Sequence, residues 1–543
     1  FQLNPNLTDV YTMSNNEVLN DVANEEKEVD PRMKQYKNLA KHEDMRRRRT
    51  ECSVELRKQK RDDLMMKRRN LTEDEDDDDS LEKIESVEGT TNTPVIPRLT
   101  LAEVLEALQN NPSLEKTRDC FESVRRLLSK SKNPPVDEVL ECGLVHALVQ
   151  GLAVDDTKIR FEAAWALTNI VSGTAEQTMK AVEAGATAPL VALTMHPDPA
   201  LAEQALWAVA NIAGDSAQLR DHVIECKGVE ALMILAARVP ELSPTFVRTL
   251  AWAFSNMCRH KNPNAPYEVL KTLSGGLRSL MASEDRLARQ DGCWAVSYLT
   301  DGPDEQIMLA KEAGVLPIVA QMLQEEEGLV APALRVLGNV ATGCDELTQT
   351  VVDLGILNVI PSVARRAKGS SIVKECCWLI SNVIAGTQNQ IQAVLDAGLL
   401  SMLLHVLSTG DHKCQFEASW ALANLAQGGT ASQMLELLSE KPVEKLCGAL
   451  SSNQNADYLK NILEVIYGLL SSVAAQRPDK LDMIREEFEE YDGLDKLEAL
   501  QNHSNEHIYA ASFKIVSEFF CDEDEEGANE NAVPSNSDIS YNF

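Results

Sequence analysis

Tryptophan and asparagine four residues apart recur along this chain: Trp165/Asn169, Trp207/Asn211, Trp252/Asn256, Trp378/Asn382 and Trp420/Asn424. An indole is a flat apolar wall whose face attracts a cation. A primary amide both donates and accepts, so it can clamp the backbone of another chain without reading its side chains. Residues four apart share one face of a helix, so each pair predicts a helix that shows wall and clamp side by side. The sixth tryptophan, Trp294, has Tyr298 at the amide place, and the steps between tryptophans are 42, 45, 42, 84 and 42 residues. The double step holds another rung, because Arg335 and Asn339 take the two places 41 residues after Trp294.

A lone tryptophan on a helix is usually core. A buried amide without partners costs a few kcal/mol, and the sequence repeats that amide at one register. The expectation is therefore that both residues stand exposed on the last helix of each repeat. Adjacent indoles would make slots for long aliphatic stems with a charge at the tip. Packed helices lie about 8–10 Å apart and an extended chain rises about 3.3 Å per residue, so one rung serves about three ligand residues.

Acidic residues flank the rungs. Asp215 follows Asn211 by four; Asp291, Glu375 and Glu417 precede Trp294, Trp378 and Trp420 by three; Asp345 follows Asn339 by six. Each is suited to receive a lysine ammonium beside an indole slot, and the expected ligand is an extended Lys/Arg-rich peptide. Trp165 to Asn256 form one stretch of three complete rungs and Trp378 to Asn424 a shorter one. Between them Tyr298 replaces an amide and Arg335 an indole. A cation at Arg335 should repel basic side chains and suits Glu375 as a partner. Past Asn424 the register gives Glu464 and Gly468, so the ladder stops.

The elements that position these residues are helical. From about Leu99 to Phe520 the chain alternates apolar runs with short Gly- or Pro-marked turns. A glycine opens an apolar helix at Gly143, Gly185, Gly228, Gly276, Gly314, Gly355, Gly398 and Gly493, and Pro442 stands where another opening is due. A period near 42 without strand signals favours HEAT or armadillo repeats, about ten of them, with atypical ends acting as caps.

Outside that body, residues 1–31 read as a disordered acidic extension, 32–70 as a basic arm, 71–98 as a solvated acidic linker and 521–543 as an acidic, Asn- and Ser-rich tail. The arm holds Arg46, Arg47, Arg48 and Arg49, then Arg57, Lys58, Lys60 and Arg61, then Lys67, Arg68 and Arg69. It has too few apolar residues for a core of its own, so any helix there forms on a partner. The linker's 28 residues reach about 30 Å, enough for the arm to fold back. Net charge is −32 although the arm is basic; an acidic body attracts its own arm and other basic chains.

Several classes are excluded. An acidic surface is a poor match for phosphates, so no nucleic-acid partner is expected. No run of about 18 apolar residues suits membrane insertion, and no charged-then-apolar leader opens the chain. Twelve cysteines without metal spacing read as small buried hydrophobes in a reducing, cytosolic or nuclear setting. No phosphate loop, nucleophile elbow or acid–base pair points to an enzyme, and no cofactor is implied.

These residues resemble the importin-α (karyopherin-α) family, from about residue 34 to about 526. MRRRR (Met45–Arg49), VELRKQKRDD (Val54–Asp63) and MKRRN (Met66–Asn70) are similar to its importin-β-binding domain. FEAAWALTNIVSGT, ALWAVANIAGDS, CWAVSYLTDGP and ASWALANLAQGGT are similar to its armadillo repeats. The resemblance implies an all-α, right-handed superhelical solenoid with a flexible basic arm, acting as a nuclear import adaptor. It implies a major site for nuclear localisation signals at Trp165, Asn169, Trp207, Asn211, Trp252, Asn256, Asp291 and Trp294, with Asp215 taking the dominant lysine and Gly173, Thr178 and Gln204 nearby. A minor site would comprise Arg335, Asn339, Asp345, Glu375, Trp378, Asn382, Glu417, Trp420 and Asn424. The arm would bind importin-β, and Lys67, Arg68 and Arg69 would otherwise occupy the major site as an internal signal. The last repeats and Cys521–Glu526 resemble the region that meets an export receptor of the exportin/CAS type, and shuttling between cytoplasm and nucleus follows. The alternative is an armadillo scaffold for adhesion or signalling tails, which the body's charge disfavours.

Overall fold

The computed structural model describes residues 99–130, 133–259, 262–451 and 454–521. The N-terminal extension, arm, linker and all but the first residue of the tail lie outside those residues. The described chain is helical and divides into two units between Tyr298 and Leu299. Among the described residues, ten groups of helices follow one another, each ending in a long helix. We call these α1 (Leu114–Leu128), α2 (Thr157–Val171), α3 (Pro199–Asp215), α4 (Pro244–Arg259), α5 (Arg286–Leu299), α6 (Glu327–Val340), α7 (Ser370–Ile384), α8 (His412–Gly428), α9 (Ala456–Gln476) and α10 (Glu506–Phe519). A typical group is Ala175–Glu183, Thr187–Leu193 and α3.

Local chemistry fixes each piece. The first short helix begins in a capping box: Gln177 N–H donates to Thr174 Oγ1 (3.2 Å), and Thr174 N–H to Gln177 Oε1 (2.9 Å). The same device recurs at Thr387/Gln390 and Thr430/Gln433, filling donors that a helix start leaves open. The turn into the second helix needs a left-handed residue, which Gly143, Gly185, Gly314, Gly355 and Gly398 supply at φ from +65° to +87°. The glycine marker read from sequence is only partly right. Before Gly228, Pro442 and Gly493 the left-handed residue is Lys227, Lys441 or Asp492. Gly276 opens nothing, because it lies inside one helix, Tyr267–Met281. Packing holds that glycine in place, since a Cβ there would lie 2.8 Å from Phe254 Cζ.

Five of the long helices start at side-chain caps at a fixed distance from the ladder. Asp156, Asp198 and Asp411 accept from the backbone N–H of Ile159 (3.0 Å), Leu201 (3.1 Å) and Cys414 (2.9 Å). Ser243 and Asp285 do the same for Phe246 (3.2 Å) and Ala288 (2.9 Å). Each stands nine residues before its tryptophan: 165, 207, 420, 252 and 294 respectively. A cap of this kind contributes about 1 kcal/mol and sets the phase at which the helix presents its face. Two caps also tie neighbouring repeats together: Arg118 Nε donates to Asp156 (3.1 Å) and Arg248 Nε to Asp285 (2.9 Å). Those guanidinium bonds hold both carboxyls below their ordinary range.

The core lies between the repeats. Small residues such as Ala163 and Ala166 on α2 and Ala205 and Ala208 on α3 are fully buried, which lets consecutive long helices approach closely. Burial pushes the thiols of Cys258 and Cys447 up to about 12 and also raises Cys376 and Cys377. Such thiols stay protonated and pack as apolar groups. No group of His, Cys, Asp and Glu suited to a metal ion occurs among the described residues.

Candidate peptide-binding site

The sequence predicts exposed ladder amides, and the structure corrects this. Asn169, Asn211, Asn256, Asn339, Asn382 and Asn424 are all buried. Most use one amide N–H to staple a long helix to the one before it. Asn211 Nδ2 donates to Thr168 O (3.3 Å) and Asn256 Nδ2 to Ala210 O (2.9 Å). Asn382 Nδ2 donates to Gly338 O (3.1 Å) and Asn424 Nδ2 to Ser381 O (2.9 Å). The acceptor is each time the residue just before the preceding asparagine of the ladder. At the ladder's edges the acceptor is a hydroxyl instead: Ser129 Oγ for Asn169 (3.0 Å) and Thr300 Oγ1 for Asn339 (3.3 Å).

Commitment of Nδ2 fixes the orientation of the amide and turns Oδ1 away from that helix. Oδ1 of Asn211, Asn382 and Asn424 has no hydrogen-bond partner in the protein. A buried acceptor left unpaired costs about 1–3 kcal/mol, which a donor supplied by a ligand recovers. The expected dual-purpose amide is therefore divided: one N–H is structural, and on Asn211, Asn382 and Asn424 the oxygen is left unpaired within the protein.

In the first unit, Trp165, Trp207 and Trp294 are half-buried and Trp252 is buried. Phe161 meets Trp165 edge to face, with centroids 5.7 Å apart, and Tyr298 lies beside Trp294 at 6.2 Å, lengthening the wall where an amide is missing. Asp215 is half-buried in the last turn of α3. A carboxylate there adds to the negative end of the helix dipole and concentrates potential for a cation. Asp291 is buried on α5. Gln204 is committed within the protein, since its Nε2 donates to Thr168 Oγ1 (2.8 Å). Thr178 is buried with its hydroxyl 3.2 Å from Val171 O. At Gly173 a side chain would overlap the Gln177 amide.

In the second unit, Trp378 is buried with no partner for its indole N–H, and Trp420 is half-buried. Gly338 lies against Trp378, and a Cβ at that position would overlap the ring. The reading of Glu375 as an acceptor waiting for a ligand lysine needs correction. Its Oε1 takes Arg335 NH2 at 2.7 Å, and the Arg335 guanidinium stacks 4.9 Å from the Trp378 centroid. Its other oxygen, Oε2, has no partner. Glu417 is buried on α8. Asp345 sits exposed at the first residue of Asp345–Asp353, where the positive helix end compensates its charge locally. Arg46 to Arg49, Arg57, Lys58, Lys60, Arg61 and Lys67 to Arg69 lie outside the described residues.

Sequence reasoning missed Arg125, Glu162, Ser129 and Gly338. The signal for the first two was present: an arginine 40 residues before Trp165 and a glutamate three before it repeat the Arg335–Glu375–Trp378 pattern.

Three-helix repeats with one repeated face define an armadillo-repeat protein. The model described as "Armadillo/beta-catenin-like repeat" matches residues 132–172, 174–214 and 387–427, and "Atypical Arm repeat" matches 485–535. "Importin beta binding domain" matches residues 32–119, beyond the arm's expected end at 70. The chain is 56 % identical to Importin subunit alpha-2 of Caenorhabditis elegans, covering 96 % of this chain and 98 % of that one. It is 35 % identical to Importin subunit alpha-3 of Arabidopsis thaliana, over 93 % and 94 % of the two chains. An engineered protein of known crystal structure shares the fold at a TM-score of 0.67 and 23 % identity, covering 76 % of this chain and 98 % of its own.

The chain belongs to the importin-α family.

Proposed function

We propose that the two ladders are the surfaces by which this nuclear import adaptor holds the Lys/Arg-rich localisation signals of its cargo. The first ladder, Trp165 to Asn256 with Asp215, Asp291 and Trp294, is the larger site. The second, Asn339 and Trp378 to Asn424 with Glu417, is the smaller. The observation that carries this reading is the set of buried Oδ1 atoms on Asn211, Asn382 and Asn424 that lack a partner in the protein. Each demands an N–H donor, and an extended backbone provides one at regular intervals whatever its sequence. The indoles then select for long cationic side chains, and the net charge of −32 favours basic ligands at long range.

The importin-β-binding domain at residues 32–119 couples cargo to importin-β. Its basic clusters also suit the ladders, so the chain is its own competitor. A short tether supplies an effective concentration of about 1 mM. An isolated arm that binds at about 10 μM then weakens cargo binding about 100-fold, and importin-β relieves this by taking the arm. The last repeats would meet an export receptor of the exportin/CAS type, which completes a cycle between cytoplasm and nucleus.

Titration of a two-cluster basic peptide tests the scheme. Residues 99–543 should bind it more tightly than the full chain, and equal affinities would refute self-competition. In the shorter chain, Trp207→Ala or Asn211→Ala should weaken binding well over tenfold, and an unchanged affinity moves the cargo site elsewhere.

A further inference from the structure

We infer that Arg125 is an end stop for the first ladder: its guanidinium occupies the place that a ligand cation would take against the α1 side of Trp165. This rests on the reading of the ladders as sites for basic peptides.

Arg125 lies on α1, 8 % exposed, with its Cζ 4.5 Å from the Trp165 centroid. Its Nε donates to Glu162 Oε2 at 2.8 Å, and Glu162, itself buried, stands three residues before Trp165. The second unit builds the same three-part arrangement at other positions. Arg335 on α6 stacks on Trp378 at 4.9 Å and pairs at 2.7 Å with Glu375, three residues before that tryptophan. In each unit the arginine comes from the long helix preceding the first complete rung. Both also replace an indole: Arg125 is one repeat before Trp165, and Ser129 stands where the next amide belongs.

A cation within about 6 Å of a ring face uses that face. A ligand ammonium approaching from α1 would meet a like charge already in place, and the carboxylates of Glu162 and Glu122 are already matched. Glu162 is paired with Arg125, while Glu122 is paired with Arg126 (2.7 Å) and Lys158 (2.8 Å). The first ladder therefore ends in a sealed slot. A basic run is held in register because it cannot slide one rung further toward α1.

The test uses the full chain and fluorescent synthetic peptides: one peptide of alternating lysine and alanine long enough for three rungs, and the same peptide with one more lysine or alanine at either end. Binding of the parent peptide, and its loss in Trp207→Ala, checks the underlying reading separately. The end of the peptide that points away from α1 meets Trp294 and Asp291, so only the end that points to α1 bears on the stop. In the wild-type chain, the extra lysine should change Kd less than about twofold relative to alanine at one end. In Arg125→Gln, which keeps an amide donor for Glu162, lysine at that same end should tighten binding about fivefold or more. A wild-type chain that gains from lysine at both ends, or a folded Arg125→Gln that gains at no end silent in the wild type, overturns the end stop. Should that variant fail to fold, a crystal structure of the wild-type chain with the lysine-extended peptide decides. Arg125 must remain on Glu162, and a ligand cation on the α1 side of Trp165 refutes the inference.

Discussion

The two units carry the same device at different lengths. Each opens with a guanidinium stacked on an indole and tied to a glutamate, Arg125–Glu162–Trp165 in the first and Arg335–Glu375–Trp378 in the second. Three complete rungs follow in the first unit and two in the second. At about three ligand residues per rung, the first spans about nine and the second about six. The second also keeps Asn339 beside Arg335, an amide without its indole, whereas the first unit has only Ser129 beside Arg125. On the proposed reading, the number of rungs alone separates a larger from a smaller site, with no difference in chemistry required.

The comparison can be broken by substitution. The largest effect should come from the centre of the first ladder. Trp207→Ala should weaken a single-cluster basic peptide more than tenfold, about 1.4 kcal/mol or more. Trp378→Ala should leave that peptide nearly unaffected and instead weaken a two-cluster peptide. Equal responses from both ladders to the short peptide would abolish the distinction between larger and smaller.

Arg335→Ala should destabilise the second unit by about 3 kcal/mol, because it strands the buried Glu375 carboxylate. Urea unfolding would measure this, and Arg335→Ala/Glu375→Ala should recover most of the loss. An undiminished loss in the double variant would show that stacking on Trp378, rather than charge pairing, is what matters. A smaller effect is expected at Gly338→Ala, where the added methyl displaces the Trp378 ring. It should weaken the second cluster of a two-cluster peptide several-fold and spare the first.

The smallest effect concerns the caps. Asp411→Ala should cost about 1 kcal/mol at neutral pH. The backbone N–H of Cys414, with help from Ser370, holds the Asp411 carboxyl down to about 2. A depressed carboxyl stabilises the fold above its unfolded value and loses that contribution as pH falls through its folded value. The difference between wild type and Asp411→Ala in thermal melts should therefore be full above about pH 4 and fade toward pH 2. A gap that persists at pH 2 would mean that the carboxylate is not the cap's active form.

The repeat period, the helical class and the division into two stretches were all legible in the sequence, because a face repeated every 42 residues leaves few other readings. Burial of the asparagines was not. An amide that staples helix to helix and an amide that faces solvent look alike until the acceptor is known, and Thr168 O or Gly338 O is a backbone atom with no sequence signature. Gly276 failed as a helix start for a related reason. A glycine required by a close approach, there to Phe254, is spelled the same as one required by a left-handed turn. Arg125 carries no tryptophan to mark its rung, although it stands in place of an indole just as Arg335 does.

The caps have one more consequence, for where the chain can change length. From Trp207 to Trp252 the step is 45 residues rather than 42, yet Asp198 to Trp207 and Ser243 to Trp252 are both nine. The extra residues fall ahead of the cap, in the stretch that holds the short turn Val239–Glu241. Inserted there, they leave the register of the ladder unchanged. One residue inserted between cap and indole would instead swing the side chain about 100° around the helix axis. Length is thus free on one side of each cap and fixed on the other.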